Sequence, residues 1–204
     1  MSTERRPDGD RRIAKFAFVT VGASASFKSL IKEIISDAFV AKLEALGFTH
    51  LIVQCGPDFG YFQNARPTRD AEGLIITGFS FDNDILMYMG LTTADDTAGC
   101  ERSQGLIITH AGSGSILDAL DFNTTLIAVP NPALMGNHQS EIAEEMEKQG
   151  FLIQGKVGSL INVVNEDNLN APKKQWPPDP DPDSVWPGGL WDVINALMPT
   201  RRLG

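Results

Sequence analysis

The chain has 204 residues, 42% of them hydrophobic and 21% charged, with a formal net charge of −9. That is enough chain for one domain with a sizeable core, and the acidic balance excludes a basic grip on nucleic acid or on an anionic membrane surface. No apolar run approaches the roughly 20 residues of a membrane span. The start Met1–Arg12 lacks a signal-peptide core, and Cys55 and Cys100 suit neither a disulfide framework nor a metal spacing, so a cytoplasmic protein with reduced thiols is expected.

In chain order, residues 1–14 read as a flexible arm. Lys15–Val21 is an apolar, β-branched first strand, followed by the small-residue turn Gly22-Ala23-Ser24-Ala25-Ser26. Phe27–Leu46 reads as one amphipathic helix, because Leu30, Ile31, Ile34, Ile35, Ala38 and Phe39 recur at a three-and-four spacing and Gly47 follows as a stop. Leu51–Cys55 is the second strand. Phe59–Glu72 has no clear period and reads as a loop, and Gly73–Phe79 is the third strand. Asp82 can cap a short helix to about Leu91, and Thr92–Gln104 reads as an exposed polar loop.

Gly105–Thr109 is the fourth strand. It runs through His110-Ala111-Gly112-Ser113-Gly114-Ser115 into a helix marked by Ile116, Leu117 and Leu120, which Ser113 or Ser115 can cap. Thr125–Val129 is the fifth strand, ended by Pro130. A helix beginning at Asn137 or Ser140 runs to Gln149, and Phe151–Gln154 is an edge strand. The pattern breaks after Gly155. Lys173–Gly189 is rich in proline and can be neither helix nor central strand, whereas Leu190–Leu197 carries an apolar helical stripe that suits packing on its own sheet or docking on a partner. Alternating strands and helices imply a parallel α/β sheet covered on both faces, Rossmann-like, over residues 15–160, with a Pro-rich tail over residues 161–204.

Ligands of such sheets bind beyond the carboxyl ends of the strands. Three turns fall there: Gly22–Ser26, His110–Ser115 and Pro130–Gln139. A glycine-relieved helix start offers free amides and a positive dipole end, which suits phosphate, although strand–helix turns of any α/β protein favour Gly and Ser. Asn137, His138 and Gln139 can hydrogen-bond a hydroxyl-rich ligand or simply cap their helix. The dinucleotide fingerprint fails at Leu117, and no acidic residue follows the second strand, where Gln54 and Cys55 stand. No Walker loop or nucleophile elbow is present, and three separated histidines give no metal signature. A nucleotide-diphosphate site built on glycine–serine turns remains, with the Asp118 carboxylate able to accept from ribose hydroxyls.

Phe18–Gly22, Thr109–Asp118 and Leu134–Gln139 together resemble the donor-binding half of GT-B glycosyltransferases of the MurG-like family. Within it they are most similar to the soluble subunits of two-component transferases that elongate dolichol-diphosphate-GlcNAc with a second sugar. The similarity covers roughly Lys15–Gln154. The resemblance implies UDP-GlcNAc as donor, with Gly112, Ser113, Gly114 and Ser115 holding its diphosphate and Asp118, one carbon shorter than the family's usual glutamate, on the ribose. It implies the backbone around Phe79–Phe81 against uracil, Asn137, His138 and Gln139 facing the sugar, and Gly22, Ala23 and Ser24 lining the cleft toward the acceptor. Ala23 departs from the family's usual threonine. His110 lies at the donor turn and reads as structural rather than as a base. No metal or other cofactor is implied. The resemblance further implies a membrane-anchored, acceptor-binding partner that recruits the chain to the cytosolic face of the endoplasmic reticulum, and no activity without it. A non-catalytic nucleotide-sugar-binding or regulatory domain of the same fold is the competing reading.

Overall fold

A computed structural model describes residues 13–67, 73–134 and 138–178; the helix expected at 190–197 and most of the amino-terminal arm lie outside them. Six parallel strands form one sheet: β1 (Ala14–Thr20), β2 (His50–Gln54), β3 (Ile75–Phe79), β4 (Arg102–Thr109), β5 (Thr125–Ala128) and β6 (Ile153–Gln154), in the order β3-β2-β1-β4-β5-β6. The order reverses between β1 and β4, and this is where parallel doubly wound sheets place their ligands.

Both faces of the sheet are buried, as the expected architecture requires. Strand side chains alternate between them: Ala17, Val19, Leu51, Val53, Leu106 and Ile108 join one apolar cluster, Phe18, Ile52 and Ile107 the other. The first cluster is covered by α1 (Lys28–Ile34), α2 (Asp37–Ala45) and α3 (Phe59–Ala65). The second is covered by α4 (Ile85–Gly90), α5 (Ser113–Leu120) and α6 (His138–Lys148).

Several local expectations change, among them the exposed loop expected over 92–104: β4 already begins at Arg102, and Thr92 is buried. The single helix expected over 27–46 is two, because Ser36 is extended and its side chain accepts from the Phe39 N–H to start α2. The loop expected over 59–72 begins instead as a helix: a 3-10 turn at Gly56–Asp58 leads directly into α3, which buries Phe62. The cap of α4 is Asp84, which accepts from Met87 N–H, while Asp82 accepts from Asp84 N–H one turn earlier. Past Gly155 the chain stays in the core: Leu160 of α7 (Leu160–Val163), Val164 just after it and Leu169 of α8 (Glu166–Asn170) are buried in the first cluster. The Glu33 carboxylate of α1 ties this segment down by accepting from the Gly158 and Leu160 N–H groups at 2.6 and 2.8 Å.

Candidate functional site

The turns after β1 and β4 are built alike. The Thr20 hydroxyl accepts from Gly22 N–H and the Thr109 hydroxyl from Ala111 N–H, each at 3.2 Å, so both strands bend sharply at the edge of the sheet. Thr20 is held in turn by a buried hydrogen bond to the Gln54 side chain. Gly22 stands at φ +81° and Ala111 at φ +60°. The second is uncommon for a residue with a Cβ.

Two helices begin at this edge, and their starts differ. At α1 the Asp58 carboxylate accepts from Phe27 N–H at 2.7 Å and from the Ser26 hydroxyl at 2.9 Å. A negative group of the protein therefore already fills the place where an anion would bind. At α5 the N-cap is Gly112 rather than Ser113 or Ser115, and no side chain among the described residues caps it. Ser113 and Gly114 are exposed, and a Cβ added at Gly114 would meet nothing within 4 Å. The start of α5 thus faces open space with its first-turn amides available. Asp118 is exposed on the same helix.

His110 sits at the seam. Its N–H donates to Thr20 O at 3.1 Å, and its partly buried ring lies against both Gly22 and Gly112. Burial holds the imidazole below its usual pKa, so it is neutral at pH 7. Ala23 and Ser24 are exposed on the facing turn.

The remaining sequence candidates spread along the edge. Gln139 turns its Oε1 inward to accept from Asn131 N–H at 3.0 Å, leaving its amide NH₂ as the group able to meet a ligand. His138 is exposed, 3.7 Å from Glu141, and Asn137 lies outside the described residues. Phe79 ends β3. Its carbonyl accepts from Cys55 N–H, its ring stacks on Tyr88 at 4.6 Å, and Phe81 beyond it is 60% exposed. The structure therefore brings Gly22, His110, Gly112 and the α5 start together, with Phe79 two strands away on the β3 side.

Sequence reasoning missed Asp58 and Asn131. Asn131 is buried, and its Nδ2 donates to Ser26 O, joining the turn after β5 to the turn after β1. A cavity of about 490 Å³ opens beside it at the ends of β5 and β6, lined by Asn131, Gln139, Gln154 and Lys156 among others. The matching threonines at the ends of β1 and β4 were a signal within reach of the sequence. Among the described residues no group of three or more side chains could hold a metal ion, and no helix is long and apolar enough to cross a membrane.

A family model described as the glycosyltransferase family 28 C-terminal domain matches residues 16–178. The chain is 29% identical over 191 residues to UDP-N-acetylglucosamine transferase subunit ALG13 of Candida albicans, covering 80% of this chain and 64% of that relative's length. An NMR solution structure of ALG13 superposes with a TM-score of 0.56 at 25% identity, covering 84% of this chain and 93% of that one. A crystal structure of Acinetobacter baumannii MurG shares the fold, with a TM-score of 0.52 at 19% identity, covering 79% of this chain and 44% of that one.

Proposed function

Since the chain belongs to the glycosyltransferase family 28 C-terminal domain family, we propose that it is the UDP-GlcNAc-binding subunit of a two-part N-acetylglucosaminyltransferase acting on dolichol-diphosphate-GlcNAc. The observation that carries this is the contrast between the two helix starts: Asp58 occupies one, and the other is open, with no side-chain cap among the described residues. Relatives named as a transferase subunit support the donor and the need for a partner. That partner is taken to be membrane-anchored, to bring this chain to the cytosolic face of the endoplasmic reticulum, and to supply the acceptor and the general base.

In this reading the amides of Ser113, Gly114 and Ser115 hold the donor diphosphate, and Asp118 accepts from the ribose hydroxyls. The backbone around Phe79–Phe81 meets uracil. Asn137, His138 and the amide NH₂ of Gln139 face the sugar, and Gly22–Ser24 line the acceptor side. During transfer the acceptor hydroxyl oxygen bonds to the anomeric carbon while the bond from that carbon to the β-phosphate oxygen breaks. The hydroxyl proton leaves to the partner's base. Charge grows on the departing diphosphate, and fixed amides stabilise it without reorganising; one such donor is worth on the order of 3 kcal/mol.

The test is transfer of labelled N-acetylglucosamine to the lipid acceptor by the purified chain, alone and reconstituted with the membrane-anchored partner. Product from the pair and none from the chain alone is expected. Donor binding without transfer by the pair would favour a regulatory domain, and turnover by the chain alone would refute the divided site.

A further inference from the structure

We propose that His110 is a positioning residue: its imidazole is the spacer that fixes the gap between the turn after β1 and the amide-bearing start of α5. A Cβ placed on Gly22 would lie 2.9 Å from both Cε1 and Nε2 of His110, and one placed on Gly112 would overlap Nε2 and lie 2.9 Å from Cε1. The same edge of one ring is therefore wedged against two glycines that belong to different strand ends.

The backbone puts the ring there. His110 N–H is fastened to Thr20 O, and the chain then reverses at Ala111, fully buried at φ +60°, with its N–H held by Thr109. The imidazole is wedged on its Cε1–Nε2 edge, and its buried Nδ1 makes no well-formed hydrogen bond among the described residues. The two glycines have different reasons to be glycine. Gly22 stands in the left-handed region, which disfavours any side chain. Gly112 is extended, at φ −71° and ψ 134°, a conformation open to any residue. Its bare Cα is explained by the ring lying on it, so ring and missing side chain are complementary shapes.

This inference rests on the donor site proposed above, because the gap matters only if the α5 amides hold the nucleotide diphosphate at a set distance from the cleft. The test is a double-mutant cycle with H110A, G112A and H110A/G112A in the full chain reconstituted with its partner, reading KM for UDP-GlcNAc, KM for the lipid acceptor, and kcat. The singles are expected to raise the donor KM about tenfold, through a void in one and an overlap in the other, and the double to return within about threefold of wild type, since contacting residues couple. The acceptor KM should hold steady in all three; general loss of structure would lower kcat through the active fraction and leave the donor KM where it is. A double variant no better than H110A overturns the proposal and means that the imidazole acts through its own chemistry. Loss in H110A/G112A of a limb of the kcat/KM pH profile that wild type shows overturns it equally. A wild-type chain that binds no UDP-GlcNAc with its partner would instead refute the donor site, and the spacer with it, whereas donor binding with an additive cycle removes the spacer alone.

Discussion

Replacing Gly114 by valine should separate folding from donor binding. Gly114 is in the first turn of α5, its φ is not in the left-handed region, and a Cβ there would meet nothing within 4 Å. Valine also suits a helix slightly better than glycine, by a few tenths of a kcal/mol. For a domain of this size the melting temperature should therefore move by no more than about 2 °C. The isopropyl group projects into the open space at the helix start, where a phosphate oxygen must approach the amides. Loss of one such donor costs on the order of 3 kcal/mol, close to a hundredfold in transfer. The assay pairs thermal unfolding of the ligand-free chain with the transfer rate of the reconstituted pair. A stable G114V chain with full transfer activity would refute the assignment of these amides to the diphosphate. A fall in melting temperature of about ten degrees, well beyond what a surface substitution causes, would refute the claim that the position is open.

Three further outcomes follow from the same geometry. Asp118→Ala should raise the donor KM about tenfold, the scale of one hydrogen bond to a charged group, with the acceptor KM unchanged; steady-state kinetics with each substrate varied would show it. Asp58→Ala leaves the start of α1 uncapped and should cost about 1–2 kcal/mol, lowering the melting temperature by several degrees while the donor KM stays put. Stability should also fall as pH drops below about 6.5, since burial holds His110 and His50 below their usual pKa and the unfolded chain takes up protons there that the folded chain refuses. Above that pH the contribution is flat. Chemical denaturation across pH 4.5 to 8, a range set by the usual histidine value of about 6.5, should show a shallower slope for H110Q, with His50 supplying the rest.

How much of this was legible in the sequence depended on how local its cause was. The strands stood out because runs such as Leu106–Thr109 and Leu126–Val129 are apolar and bounded by turns, and their alternation with helices fixed the parallel sheet. The break between α1 and α2 was not visible: the apolar spacing continues across it, and only the Ser36 bond to Phe39 shows why one helix ends and another begins. The α5 turn could be read as a candidate anion site from its own residues. What selects it over the α1 turn could not, because Asp58 comes from 31 residues beyond Phe27. Asn131 was hidden for the same reason, since its bond to Ser26 spans 105 residues. Gln139 reads as a free amide in the sequence, yet half of it is spent holding Asn131.

Backbone amide shifts in the isotopically labelled chain, bound to its partner and titrated with UDP-GlcNAc, test the central claim most directly. The largest changes should fall on Ser113, Gly114 and Ser115, while the Phe27 amide, already held by Asp58, stays where it is. Shifts concentrated at Phe27 and its neighbours, with Ser113–Ser115 unmoved, would contradict the account.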